Sequence, residues 1–226
     1  MEGAPEVNSR EFILSRVRAA LGRGAADPVP EPPPVLLRFA SSPPPDRAEK
    51  FRSALEALGG KVAIVNTPGE AGAYVESALA GRRAIASQAP ILEACGIDSL
   101  PSVTTEHSRQ ACAAADASIT SAEYALAETG TLVVSAGLRD SRMVSLLPPC
   151  HIAVIERSKI LENLDEFLDV CRQPAAQSSA VVLITGPSRT ADIEMRLVRG
   201  VHGPGEIHVV IVNNVTAAPS YASEET

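Results

Sequence analysis

The chain has 226 residues, of which 45% are hydrophobic and 3% aromatic, and its formal net charge is −7. Enough apolar residues are present to bury a sizeable core, so we do not expect a globally disordered chain. The scarcity of aromatic rings and the lack of a basic cluster argue against a nucleic-acid partner, which needs stacking rings or clustered Lys and Arg.

No apolar run approaches the roughly 20 residues that a membrane-spanning helix needs. The first residues, MEGAPEVNSREF, are charged and lack the apolar stretch of a secretory signal, so we expect a cytoplasmic protein. The cysteines include no C-x-x-C pair and have apolar neighbours, so we expect core residues and no zinc, iron–sulfur or other metal site in this chain. They are Cys95, Cys112, Cys150 and Cys171.

The first predicted element is a helix in NSREFILSRVRAALG. Asn8 is placed to cap this helix, and Gly22 supplies a left-handed end. Eight of the chain's 18 prolines fall between Pro28 and Pro45, which predicts an extended arm. The arm is either a tether that carries the helix to a partner or a strap that lies over its own domain.

Helical and strand patterns alternate in the rest of the chain. We therefore predict two regions, a helix with a proline-rich arm over residues 1–45 and an α/β domain over residues 46–226. Helices are predicted in DRAEKFRSALEALGG, EAGAYVESALAG, PILEACG and SRQACAAA. Strands are predicted in KVAIV, RRAIAS, SVTTE, ASITSA, TLVVSA, HIAVIE, AVVLIT and EIHVVIV. Repeated β-α units imply a mostly parallel sheet that is covered on both faces.

The segment SKILENLDEFLDVCR predicts one continuous helix over residues 158–172 with a single apolar face. That face is formed by Ile160, Leu161, Leu164, Phe167, Leu168 and Cys171. The acidic residues on the opposite face are expected to be solvated rather than functional, and they are Glu162, Asp165, Glu166 and Asp169.

A polar connection joins the last two predicted strands. It is long enough for a right-handed crossover, and Thr190 is placed to cap a helix within it. Helix N-termini beside a parallel sheet bind anions, so we expect Ser188, Arg189 and Thr190 to hold a phosphate or carboxylate. Asp192 either belongs to this ligand-binding set or only pairs with Arg196 on the helix surface.

Two histidines lie in or after this connection. His202 lies between turn residues in RGVHGPGE, where a purely structural histidine has little reason to be, so it is a candidate for proton transfer. In the plainer interpretation, Gly200, Gly203 and Pro204 only end a helix and turn the chain. His208 alternates with apolar neighbours on a strand and is expected to be structural.

A second polar cluster surrounds the predicted strand TLVVSA. Glu128 and Thr129 come directly before Gly130. An acid beside a glycine at a strand edge can act as a base or nucleophile, and the glycine lets a ligand approach. Arg139 and Arg142 follow in a predicted loop and can clamp a carboxylate or phosphate. The plainer interpretation makes Glu128 an exposed acid in a tight turn.

Four segments, taken in order, resemble the lactate utilization protein C family, which is built on the LUD domain. They are AETGTLVV, SLLPPCHIAVI, ITGPSRTADIE and GVHGPGEIHVVIV. The resemblance extends roughly from Asp46 to Val212, and the N-terminal helix and proline-rich arm also resemble the start of this family.

This resemblance implies a three-layer α/β/α fold with a mostly parallel sheet. The fold is similar to the ribose-5-phosphate isomerase, glucosamine-phosphate deaminase and CoA-transferase superfamily. The resemblance also implies a role in oxidizing L-lactate to pyruvate, alongside two iron–sulfur proteins that carry the cluster cysteines. CoA-transferases use a glutamate near a glycine, and Glu128 is similarly placed. Neither a G-x-G-x-x-G nor a G-x-x-x-x-G-K-[ST] motif is present, so we assign no cofactor and no hydride transfer to this chain.

Three functions remain open at this point. The first is a non-cluster subunit of an iron–sulfur L-lactate dehydrogenase complex that binds a small anion. The second is a stand-alone isomerase, transferase or cyclo-ligase that acts on a phosphorylated or CoA-linked substrate. The third is a non-catalytic adaptor. In the first, Glu128 or His202 moves a proton, and the ligand is held by Thr129, Gly130, Arg142, Ser188, Arg189, Thr190 and Asp192.

Overall fold

The computed structural model describes residues 9–22, 24, 27–28, 47–137, 142–172, 178, 180–191 and 197–215. The chain divides into two units, Met1–Ala40 and Ser41–Thr226. The predicted boundary between residues 45 and 46 falls outside the described residues and stays a prediction.

The first unit contains the predicted N-terminal helix, α1 (Ser9–Leu21). None of its described residues is buried, and large apolar side chains such as Phe12 and Ile13 are exposed. Gly22 follows the helix with a φ of 64°, as the left-handed stop requires. Asn8 and most of the proline-rich arm lie outside the described residues, so both interpretations of the arm stay open.

The second unit contains six α-helices and twelve strands in its described part. The helices are α2 (Arg47–Ala57), α3 (Pro68–Leu79), α4 (Pro90–Ala94), α5 (Arg109–Ala114), α6 (Arg142–Leu146) and α7 (Leu164–Val170). The strands are β1 (Lys61–Val65), β2 (Ala84–Ala86), β3 (Val103–Thr104), β4 (Ala117–Ser121), β5 (Tyr124–Leu126), β6 (Thr131–Ala136), β7 (Cys150–Glu156), β8 (Ile160–Leu161), β9 (Ala180–Ile184), β10 (Arg189–Ala191), β11 (Leu197–Arg199) and β12 (Glu206–Val212). No helix in the described ranges is long and apolar enough to cross a membrane.

Six strands form the central sheet in the order β1-β12-β7-β4-β2-β3, and every pairing in it is parallel. The two seven-residue strands, β7 and β12, lie side by side and are almost completely buried. Their runs of Val, Ile and Ala fit a sheet that is covered on both faces. The predicted α/β class and the mostly parallel sheet are confirmed.

Alternate side chains of the central sheet enter two different cores. On one face, Val210 packs with Val75 of α3 and with α4. On the other face, Ile211 packs with Phe51 of α2 and with Leu132 of β6. The second face is therefore covered partly by helices and partly by another sheet.

That other sheet was not predicted. Its order is β8-β5-β6-β9, with antiparallel pairing of β5 to β6 and of β6 to β9 and parallel pairing of β5 to β8. Strands β5 and β8 are three and two residues long. Such short strands carry too few residues to show a strand pattern in the sequence.

The predicted helix over residues 158–172 is wrong at its start. The segment forms a 3₁₀ turn and the short strand β8 before α7 begins at Leu164, where Asn163 Oδ1 accepts a hydrogen bond from Glu166 N at 3.0 Å. Glu162, expected on the solvated face, is only 2% exposed and forms an ion pair with Lys50 of α2. A buried carboxylate needs such a partner, and pairing β8 in the second sheet is what brings Glu162 inward.

The predicted crossover helix after Thr190 is also wrong. Strands β10 and β11 pair antiparallel, with Thr190 opposite Val198, so Thr190 caps no helix. The crossover is absent because β9 pairs with β6 in the second sheet, whereas β12 lies in the central sheet. Asp192 and the predicted pair that it forms with Arg196 lie outside the described residues.

Three of the four cysteines are core residues, as expected. Cys95 and Cys150 belong to the core that contains α3, and Cys112 packs with Ile85 and Val144. Cys171 is only partly buried. All four are free thiols.

Candidate functional site

A cavity of about 470 Å³ lies near the amino ends of β7 and β12. The position follows from the backbone, because Gly205 N and Glu206 N both donate to the Pro149 carbonyl, at 2.9 and 3.2 Å, just before the two strands begin. The volume is within the range that holds small ligands in proteins. We call it the amino-edge cavity.

The amino-edge cavity brings together four of the predicted site residues: Ser188, Arg189, Thr190 and His202. This wall is formed where the chain enters β10 and where it leaves β11. Ser188 N donates to the Pro204 carbonyl at 2.8 Å, and Gly200 N donates to the Ser188 carbonyl at 3.1 Å. His202 N also donates to Ser188 Oγ at 3.4 Å. The backbone therefore places His202 and Ser188 side by side.

Arg189 has a structural contact as well as a place in the cavity wall. Its guanidinium donates to the carbonyl of Leu58, which follows the C-terminal end of α2. A cation at a helix C-terminus is favourable because the last carbonyls carry partial negative charge. The guanidinium has five N–H donors, so one bond to Leu58 leaves others for a ligand.

A chain of hydroxyl groups links the cavity to the predicted Glu128 cluster. Thr129 Oγ1 lies 2.7 Å from Thr131 Oγ1, which in turn lies 2.7 Å from Thr185 Oγ1. Thr185 lines the cavity. The link forms because β6 and β9 pair antiparallel with Leu132 opposite Ile184, which places Thr131 beside Thr185.

Four other predicted site residues do not line the cavity, namely Glu128, Thr129, Gly130 and Arg142, and Asp192 lies outside the described residues. Glu128 is exposed in the tight turn that joins β5 and β6, where Gly130 N donates to the Leu126 carbonyl at 3.0 Å. Gly130 has a φ of 65°, and an added Cβ would lie 2.6 Å from the Leu55 nitrogen, so its role is to let α2 pack against the turn. Arg142 is not in a loop as predicted but is the exposed first residue of α6.

The charge of the amino-edge cavity favours an anion. Among the described lining residues, one guanidinium and one imidazole are present and no carboxylate. The hydroxyls of Ser145, Thr185, Ser188 and Thr190 add neutral donors. Charge-assisted bonds from arginine to carboxylate or phosphate are about twice as strong as neutral hydrogen bonds. The cavity can therefore bind a small anion without the helix N-terminus that the sequence suggested.

A separate ionic cluster lies at the same edge of the central sheet, on the face that carries α3. Glu206 accepts hydrogen bonds from Lys61 at 2.7 Å, from Arg82 at 3.1 Å and from His208 Nε2 at 2.9 Å. Tyr74 Oη lies 3.1 Å from His208 Nδ1. The Lys61 hydrogen bond, followed by that of His208, holds the pKa of Glu206 far below its usual value, whereas burial lowers the pKa of His208.

This cluster also contains the one set of described residues that could hold a metal ion. Atoms of Cys150, Glu206 and His208 lie within 4.8 Å of one another. However, Glu206 already neutralises Lys61 and Arg82, and burial raises the pKa of Cys150 to about 11, which opposes the thiolate that a metal needs. We interpret the cluster as an ion-pair network that joins β1, β12 and α3, in agreement with the structural role expected for His208.

Sequence reasoning missed several residues of the site. Thr131, Ser145 and Thr185 each lie inside one of the four family motifs. Only the antiparallel pairing of β6 with β9 and the position of α6 bring them together. Glu206 was passed over because an acid at the first residue of a strand resembles an ordinary surface residue. The recurrence of Glu206 and His208 two residues apart, on one face of the strand, was the available signal.

The sequence model of the LUD domain matches residues 48–212. The chain belongs to the LUD domain family. Its four ordered motifs all lie within the matched LUD domain, and the expected resemblance is confirmed.

Relatives of this LUD domain protein are named lactate utilization protein C. The one from Bacillus subtilis is 41% identical over 104 residues, which is 44% of this chain and 43% of the relative. The one from an Exiguobacterium species is 39% identical over 114 residues, which is 49% of this chain and 50% of the relative. The matched stretch thus spans half or less of the length of these curated relatives.

A solved structure supports the fold of this LUD domain. The crystal structure of a DUF162 family protein from Deinococcus radiodurans superposes with a TM-score of 0.59 and 21% identity. The match covers 76% of this chain and 99% of that one. At this identity the similarity shows the fold alone.

Proposed function

We propose that this protein is a non-cluster subunit of an iron–sulfur L-lactate-oxidizing system, and that it binds a small anion in the amino-edge cavity. The composition of the cavity carries the proposal, since Arg189 and His202 are present and no carboxylate lies among its described lining residues. The names of the relatives support the lactate part of the proposal.

Each wall residue has a role in this proposal. Arg189 neutralises the anion, while the hydroxyls of Thr185 and Ser188 fix its orientation by hydrogen bonds. His202 moves a proton to or from the bound molecule, because its ring is at the cavity and exposed to solvent. Glu128 does not line the cavity, so we assign proton transfer to His202 rather than to Glu128.

A second candidate is the non-catalytic adaptor, and one contact favours it. Arg189 already donates to the Leu58 carbonyl, which is what a purely structural arginine would do. In that case the substitution Arg189→Ala weakens folding and does nothing else. The stand-alone isomerase, transferase or cyclo-ligase remains a third possibility, and turnover of a phosphorylated or CoA-linked substrate by the purified protein would support it.

Calorimetric titration with L-lactate and with pyruvate tests the anion site. We expect at least one of the two anions to bind the unsubstituted protein, and Arg189→Ala to weaken that binding by about tenfold or more, since a hydrogen bond from a charged donor is lost. Arg199→Ala is the matched control. Arg199 is exposed and lies opposite Arg189 in the same hairpin, but it does not line the cavity.

The competing functions predict different results. If Arg189→Ala lowers the melting temperature but leaves anion affinity unchanged, the adaptor is supported and the anion site is wrong. If neither anion binds the unsubstituted protein, the lactate ligand is wrong. Membership of the complex is tested separately, by co-purification with cysteine-rich iron–sulfur proteins of the same organism, before and after removal of residues 1–45.

A further inference from the structure

The order of strands in the central sheet creates a crevice at its opposite edge. From β2 the chain runs outward to β3, whereas from β4 it runs the other way to β7, although β2 and β4 are neighbours. In open parallel sheets, ligands bind at the carboxyl ends of the strands where the connections diverge in this way. Here that place lies between the residues that follow β2 and β4.

Two adjoining cavities occupy this place. One, of about 340 Å³, is lined by the segment after β2 and by Thr105 after β3. The other, of about 360 Å³, is lined by Ser121 at the end of β4, Glu156 at the end of β7, and the chain that follows each of them. Both include Ala89 in their lining. We call the pair the carboxyl-edge crevice.

A buried hydroxyl in the crevice points to a ligand. Ser87 is the first residue after β2 and is 2% exposed, and its Oγ has no hydrogen-bond partner among the described residues. Its backbone nitrogen is satisfied, because it donates to the Ile119 carbonyl at 2.9 Å. Leaving a buried hydroxyl unpaired costs about 1–3 kcal/mol, so a bound molecule that supplies the missing partner gains binding free energy at this position.

The charges of the crevice select the kind of ligand. Its described lining contains four carboxylates and one ammonium group. The ammonium of Lys159 lies 5.9 Å from the centre of the Tyr124 ring. The excess of negative charge repels phosphates and carboxylates, whereas carboxylates, the Gln88 amide and the Ser87 hydroxyl accept hydrogen bonds from O–H groups. The acids are Glu93, Asp98, Glu123 and Glu156.

We propose that the carboxyl-edge crevice is a second ligand site, distinct from the anion site, that binds a neutral polyhydroxylated molecule with Ser87 as a buried contact. The proposal does not depend on the lactate role, because the two cavities lie at opposite edges of the central sheet and share no described lining residue.

The test compares two probes that differ in charge at one end of the same polyol chain. Sorbitol and gluconate share a polyol chain, but gluconate ends in a carboxylate. In a ¹H–¹⁵N NMR titration we expect sorbitol to shift the amide signals of Ser87, Gln88 and Tyr124 in a saturable manner. Gluconate is expected to shift the same amides about tenfold more weakly, because the four carboxylates of the crevice repel it.

Ser87→Ala is expected to weaken sorbitol binding about fivefold, since one hydrogen bond is lost. Ser118→Ala is the matched control. Ser118 is a fully buried serine in the neighbouring strand, but its Oγ donates to the Cys150 carbonyl at 3.4 Å. This variant should bind sorbitol like the unsubstituted protein. The proposal is overturned if sorbitol shifts none of the three amides, if gluconate shifts them equally, or if the two serine variants behave alike.

Discussion

The two edges of the central sheet differ in how their polar groups are satisfied. At the amino edge, Glu206 is bonded to Lys61, Arg82 and His208, and the adjacent cavity presents arginine and histidine without a described carboxylate. At the carboxyl edge, four carboxylates line the crevice and the buried hydroxyl of Ser87 has no described partner.

The difference lies in which partners the chain supplies at each edge. At the amino edge, cationic side chains satisfy the Glu206 carboxylate, and the backbone nitrogens of Gly205 and Glu206 donate to the Pro149 carbonyl. At the carboxyl edge, the described lining contains four carboxylates and one ammonium group and supplies no partner for Ser87 Oγ. We infer that the amino edge combines structural pairing with anion binding, and that the carboxyl edge is kept for a neutral ligand.

The largest expected effect comes from breaking the turn that supports the amino edge. Gly130→Ala should lower the free energy of unfolding by about 3 kcal/mol, because its φ of 65° disfavours a side chain and the new Cβ meets the Leu55 backbone. Urea denaturation measures the change. Gly137→Ala, where an added Cβ meets nothing within 4 Å, should change it by less than about 0.5 kcal/mol. Equal effects of the two variants would contradict this account of the turn.

A smaller effect concerns His151, which is fully buried near the start of β7 and bonded to Thr120 Oγ1 at 2.8 Å. Burial lowers the pKa of His151 from 6.5 to about 4. Between these two pKa values the unfolded chain therefore binds a proton that the folded chain does not bind. The free energy of unfolding falls as the pH drops below 6.5. The slope from this residue is at most about 1.4 kcal/mol per pH unit.

Unfolding should be measured between pH 6.5 and about 5.5, above the range in which protonation of Glu206, whose pKa is lowered from 4.5 by folding, removes further stability. Gln at position 151 keeps a hydrogen-bond partner for Thr120 but does not titrate. His151→Gln should therefore reduce the dependence of the free energy of unfolding on pH. Some slope remains because burial also lowers the pKa of His208. His202→Gln, at an exposed position, serves as the control. An unchanged slope in His151→Gln would rule out the buried neutral imidazole.

The smallest effect compares one serine from each edge. Ser118→Ala should lower the free energy of unfolding by about 0.5–1 kcal/mol, because the Cys150 carbonyl loses a donor. Ser87→Ala should raise it by about 0.5 kcal/mol, because an unpaired buried hydroxyl is removed. Thermal unfolding of ligand-free protein measures both. A loss of stability in Ser87→Ala would show that Ser87 has a partner within the protein.

The fold and the site were predictable to different degrees. Helix α3 and strands β1 and β7 were recognisable because each has a strong apolar pattern. The cap of α3 was not, since Thr67 Oγ1 accepts from Glu70 N at 3.2 Å and starts the helix at Pro68, before the predicted segment. The segment after Thr190 was mistaken for a helix because hairpin pairing depends on a partner strand rather than on local pattern. The structure places Arg189 and His202 in the lining of one cavity, where the β10–β11 pairing rather than the predicted helix N-terminus positions them, and their role in binding stays a prediction.

By itself, the sequence determined the α/β class and the family, because hydrophobic period, capping and motif order are local properties. Only the tertiary structure decided that Thr131 meets Thr185, that Glu162 is buried against Lys50, and that Ser87 lies in a crevice. Those contacts depend on which strands pair and which connections diverge, and such pairings join residues far apart in the chain.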